Sequence, residues 1–151
     1  MIALLCLLLQ DFTVIDSGGW KTKPPDDAHT DRIADGAALT ALWNRLPSAN
    51  RKKEMPKVDF ARNMVIAVIP SPDADRKQLR IESVKEENGI LTLTYSLTPL
   101  AVEGGPGLRL PYVLVEVVRS NAPVHVVEIL RDPAGGKPVQ ERTVKKLEAL
   151  K

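Results

Sequence analysis

The sequence predicts an α+β domain: an antiparallel sheet of about six strands with one main helix packed on a face. Three observations predict it. A single stretch carries apolar residues at helical spacing. Six short runs are continuously apolar or alternate apolar with polar residues. The links between most of those runs are too short for helical crossovers, which favours antiparallel neighbours.

The elements follow in chain order. Phe12-Thr13-Val14-Ile15 is a β-prone run, and Asp16-Ser17-Gly18-Gly19 reads as the turn that closes it. Residues 20–31 are polar and Pro-rich and read as a surface loop. Asp35 is the best N-cap candidate. After it Ala38, Leu39, Leu42, Trp43 and Leu46 recur at three- and four-residue steps until Pro47, predicting a helix over 35–46 whose apolar stripe needs a sheet to cover. Residues 64–69, Met-Val-Ile-Ala-Val-Ile, form an apolar, β-branched run, as expected of a central strand buried on both faces. Residues 79–85 and 91–97 alternate on either side of Asn88-Gly89. Both turn residues tolerate positive φ, so this pair predicts a hairpin. Strands are also expected over 112–118 and 124–130, with Ser120-Asn121-Ala122-Pro123 turning between them. Val144, Leu147 and Leu150 sit at helical spacing among charges, so residues 139–151 read as a charged tail or short terminal helix.

At 151 residues the chain fits one domain, able to bury roughly 68–70% of its unfolded surface. Its 21 basic and 19 acidic residues nearly balance, which leaves no electrostatic footprint for nucleic acid. Cys6 is the sole cysteine, so neither an intrachain disulfide nor a paired-Cys metal site can form. With six aromatic residues, the core must come mostly from Val, Ile and Leu. Residues 2–9 are uninterruptedly apolar, too short a run for the roughly 20 residues that span a bilayer. The run has the length of an export-signal core but lacks a basic flank. A leader over 1–10, a first core element, and a lipidated Cys6 are the three readings; the leader is the one adopted, and no stable membrane span is expected.

The candidates for chemistry are few. Asp16-Ser17-Gly18-Gly19 looks like the nucleophile sequence of trypsin-like proteases, but too little chain precedes Ser17 to hold the partner His and Asp. Asp26, Asp27, His29 and Asp31 are metal-ligand types, placed in a Pro-rich loop without an evident scaffold. Asp73 and Asp75 lack the glycine and distal Glu of a calcium loop. His125 stands between two valines in a strand. Gly104-Gly105-Pro106-Gly107 lacks the Lys-Ser/Thr of a phosphate loop. Arg51, Lys52, Lys53 and Lys57 form a local basic patch that reads as a solvated connector. No catalytic, metal-binding or cofactor-binding residue is assigned, and no cofactor is expected.

Trp43 at the helix end, then Pro56-Lys57-Val58-Asp59-Phe60-Ala61-Arg62-Asn63-Met64-Val65-Ile66-Ala67-Val68, and later Pro111-Tyr112, carry a resemblance. Over residues 31–131 the chain resembles the PrcB-like protease-complex accessory-subunit family, in its C-terminal domain. In this motif Asp59 can bond nearby backbone amides, Phe60 plugs the core, and Asn63 can take a left-handed conformation. The chain departs from the family at residues 71–77, where a Gly-rich hairpin is expected, and at Val113, where a His is common. The resemblance implies a single domain over 11–138. It also implies a non-catalytic, exported accessory module that binds or stabilises a partner protein, a protease among the options, through loops 71–77 and 98–110. A small-ligand or glycan-binding domain is the alternative, with Trp20 or Tyr95 at its pocket.

Overall fold

β-Branched and alternating runs outweigh helical ones: the described residues are mostly strand, with two short helices. The computed structural model describes residues 8–71, 74, 77–100, 110–134 and 137–150. Nine strands and two short helices occur among them. They are β1 (Leu8–Leu9), β2 (Phe12–Trp20), β3 (Asp31–Ile33), α1 (Gly36–Trp43), α2 (Pro47–Asn50), β4 (Asn63–Val68), β5 (Lys77–Glu87), β6 (Ile90–Pro99), β7 (Leu110–Val118), β8 (Val124–Arg131) and β9 (Pro138–Leu147).

The expected α+β class, one sheet of about six strands under a main helix, is therefore wrong. The chain is mostly β, with two sheets: β1-β5-β6-β8-β9 and β2-β7-β4-β3. The reason lies in β4. Met64, Ile66 and Val68 enter one core with Val84, Leu91, Leu93, Tyr95 and Val126 of the five-stranded sheet. Val65 and Ala67 enter a second core with Leu39, Leu42, Trp43 and Leu46. A strand buried on both faces needs two covers, and the helix supplies one of them. A whole second sheet supplies the other.

α1 spans eight residues, shorter than the expected 35–46. Asp35 caps it as anticipated, its carboxylate accepting from the Ala38 amide at 2.8 Å. Pro47 does not merely end the helical pattern; it opens α2 at the first turn, where a missing N–H costs nothing.

Asn88-Gly89 forms the two-residue turn between β5 and β6, with φ of 52° and 74° and Glu87 facing Ile90. The all-antiparallel expectation fails at one place: β6 and β8 pair in parallel, Tyr95 opposite Glu128. Between them the chain crosses to the other sheet as β7 and returns. β8 comes back aligned with β6.

Three further expectations are corrected. Asp16-Ser17-Gly18-Gly19 is no turn but the middle of β2, paired with Leu114, Val113, Tyr112 and Pro111. Gly18 lies under the Tyr112 ring, where a Cβ would meet the hydroxyl at 3.0 Å, so glycine allows the close approach. Residues 139–151 supply most of β9, an edge strand, and not a helix. Asn63 has no positive φ; it starts β4, with its amide side chain donating to Glu116 at 2.7 Å. Asp59 does form the anticipated Asx turn to the Ala61 amide at 3.1 Å, and Phe60, half-buried, packs on the helix-side core. Of the run over 2–9, Leu8 and Leu9 pair with Glu86 and Lys85; the rest lies outside the described residues.

Candidate functional site

Three adjacent strands of the five-stranded sheet bring Tyr95, Glu128 and Arg142 into one row, Glu128 facing Tyr95 on β6 and Arg142 on β9. Val124, Val126 and Glu128 share the inner face of β8, so period-two alternation alone drives a carboxylate into the core. Only 2% of Glu128 is exposed. Its Oε2 accepts from the Tyr95 hydroxyl at 2.6 Å, and its Oε1 accepts from Arg142 Nε at 3.0 Å and Nη2 at 2.9 Å. A buried charge demands such partners. Burial first, then the carboxylate beside it, holds the Tyr95 phenol protonated far into the alkaline range.

This row floors a hollow of about 470 Å³ whose other walls are His29, Thr30, Ile69, Pro70, Ser71 and residues 143–145 of β9. A second hollow of about 630 Å³ shares His29, Ile69, Pro70 and Ser71 and continues past Pro24, Pro25, Ala28 and Leu110. The four shared residues set the two hollows side by side, as the polar and apolar arms of a candidate groove.

The loop forming the apolar arm is well tied down. Thr30 Oγ1 accepts from the Ile69 amide at 2.9 Å and donates to its carbonyl at 3.0 Å. The Ala28 amide bonds the Pro25 carbonyl at 2.9 Å. Arg45 pairs with Asp27 at 2.9 Å and Lys23 with Asp26 at 2.6 Å.

A second buried polar cluster joins β2, α2 and β7. The bulge between Val14 and Asp16 turns Asp16 inward. Its Oδ2 accepts from the Ser48 and Tyr112 hydroxyls at 2.8 Å each, and Lys53 pairs with Oδ1. Burial opposes ionisation of Asp16, yet the Lys53, Tyr112 and Ser48 hydrogen bonds outweigh it and hold the acid below its ordinary value. Trp20, 7% exposed, stacks at 55° on Tyr112 with centroids 5.2 Å apart. It is a core residue and offers no platform to a sugar.

Burial and the ionised Asp16 push the Tyr112 phenol up to about 12, from about 10 in the unfolded chain. The native state thus holds this proton more tightly. Its stabilising effect is complete below pH 10 and disappears as pH rises through 12. Denaturant titrations between pH 7 and 12 should show stability falling above pH 10. Tyr112→Phe should make that fall shallower, and should cost about 1–2 kcal/mol at pH 7 through the lost hydroxyl bonds.

The other sequence candidates do not converge. Ser17 is exposed on β2, at the wall of a hollow lined with Arg51, Lys77 and Tyr112 and with no histidine. Asp26 and Asp27 point to their own cations, and His29 Nε2 stands 3.8 Å from Asp31. No group of three His, Cys, Asp or Glu residues able to hold a metal occurs among the described residues. His125 faces Thr92 and Lys146 across its strand neighbours. In the basic patch Lys53 is committed to Asp16, while Lys57 is exposed. Asp73, Asp75 and residues 104–107 lie outside the described residues, as do most of loop 98–110 and part of loop 71–77.

No protein family, characterised protein or solved structure matches the chain. No helix among the described residues is long and apolar enough to cross a membrane.

Sequence reasoning named Tyr95 but missed Glu128, Arg142 and Lys145. The parity of Val124, Val126 and Glu128 was a usable signal. Arg142 and Lys145 gave none while their segment read as a charged tail or short helix.

Proposed function

We propose that the chain is a non-catalytic, exported accessory module that binds a partner protein, and that the two-armed groove receives an extended segment of that partner. The carrying observation is that both arms are lined by His29, Ile69, Pro70 and Ser71, on a wall fixed by the Thr30–Ile69 bonds. Each arm alone has the size of a small-ligand pocket, and their join suits a longer occupant. Sites on firm scaffolds with apolar walls and a few fixed polar groups favour binding without reorganisation. The resemblance of residues 31–131 to protease-complex accessory subunits points the same way for the partner class, and the apolar run over 2–9 for export.

A second reading rests on the Tyr95 hollow alone, whose 470 Å³ would suit a small ligand. Such a ligand would leave the Pro24–Leu110 arm empty. A photo-crosslinking residue separates the readings. Placed at exposed Ser71, it should give a discrete protein adduct in extracts of the source cells. Placed at Val118, 54% exposed and about 17 Å along β7 from Val113, it should not. Equal labelling at both sites, or none at Ser71, would reject the groove as the partner site.

A further inference from the structure

We infer that the polar arm of the groove is a carboxylate site, reading an Asp or Glu of the partner segment next to an apolar residue laid along the Pro24–Leu110 arm. The inference rests on the proposed groove binding and adds the chemistry of what is bound.

Residues three apart on a regular strand point to opposite faces, so Arg142 and Lys145 should diverge. They do not. Lys145 faces Val126 and Thr143 faces Val127, so Val144 is the extra residue of a bulge. The bulge shifts parity by one and puts Arg142 and Lys145 in the same hollow. Bulges that re-aim side chains are commonly found beside binding sites.

The two cations differ in how they are held. Arg142 spends Nε and one Nη2 proton on Glu128, and the pair fixes its plane. Its side chain is 42% exposed, and its remaining donors make no hydrogen bond among the described residues. Glu128 has both oxygens engaged, so it acts as a positioning residue for Arg142 and offers little to an incoming cation. Lys145 is exposed and makes no ion pair among the described residues.

The charge account of the groove is then short. Lys23 is balanced by Asp26, and Arg142 by Glu128. His29 stands near Asp31 at 3.8 Å. Among the described residues lining the groove, Lys145 is left over. An unbalanced ammonium beside a planar guanidinium with free donors is complementary to one carboxylate, and the Ser71 hydroxyl at the same hollow can add a neutral donor. Beyond it Pro24, Pro25, Ala28, Ile69 and Leu110 offer an uncharged wall, which suits an aliphatic neighbour of the acid.

The test is a selection of random octapeptides displayed on phage against the full chain and against Lys145→Glu. The Lys145 side chain is exposed and makes no ion pair among the described residues, so the variant should retain its circular dichroism and melting point. The chain should enrich peptides with Asp or Glu adjacent to Leu, Ile, Val or Pro. Lys145→Glu should lose affinity for them by about tenfold, and should instead select Lys or Arg at the acidic position. Changing the acid of a selected peptide to its amide should cost a similar factor, and that factor should shrink at high salt. Enriched peptides that crosslink at Ser71 but carry no acid would overturn the carboxylate site and leave the groove reading intact. Enriched peptides that fail to crosslink at Ser71 would overturn both. Saturable binding of acetate or phosphate at Lys145 with no peptide enriched would mark a small-anion site and reject the partner segment.

Discussion

Trp43→Ala should destabilise the chain by about 3–5 kcal/mol, seen in calorimetry as a fall in Tm of about 10 °C. Trp43 is 6% exposed and packs with Leu39, Leu42 and Leu46 against the outer face of β4 and β7. α1 has only eight residues, below the length at which helices hold themselves in water. Its docking therefore supplies most of its stability, and the indole is the largest side chain in that docking. Trp43→Phe fills much of the void and should recover more than half the loss. The inter-sheet core lies on the far side of β4, so near-native strand signal should survive in the alanine variant. A loss below 1 kcal/mol would mean that the helix-side core is not a working part of the fold.

Glu128→Ala should cost about 3 kcal/mol and act on one place, the attachment of β9. The Tyr95 hydroxyl would lose its acceptor and Arg142 its anchor. β9 buries little: of its ten residues Leu147 alone is even half-buried. Amide hydrogen exchange over 138–147 should therefore quicken far more than over the β5–β6 hairpin. Glu128→Ala combined with Arg142→Ala should cost less than the two single losses added, because each removes the same interaction. Additive losses would deny the coupling.

Local chemistry was legible in the sequence where one short segment decides the outcome. Asn88-Gly89 dictates its turn through two positive φ angles, and Asp35 dictates the start of α1 through one side-chain bond. The double burial of β4 could be read from its uninterrupted apolar run. What those residues do not encode locally is which layer covers each face, so the second sheet went unseen. The parallel β6–β8 pair depends on β7 leaving for the other sheet, a long-range event without a local signature. β9 was hidden for a physical reason too. Val139 and Val144 are exposed, at 71% and 38%, and the bulge breaks the two-residue period. With β9 read as a charged tail or short helix, the partner of Glu128 could not be found, and the groove lost one wall. The Asp16 cluster was hidden by another bulge, which turns an acid expected in a surface turn into the core.

The position of β9 at the sheet margin has one more consequence. Among the described residues no strand pairs along its outer side, and a row of free amides and carbonyls is the kind of template on which neighbouring molecules can stack into fibres. Glu141, Arg142, Lys145 and Lys146 crowd that margin with charge, and the extra residue at Val144 bends it away from the flatness such stacking needs. The same irregularity that gathers two cations into the groove thus also guards the chain against self-association, so straightening β9 would be expected to cost solubility as well as recognition.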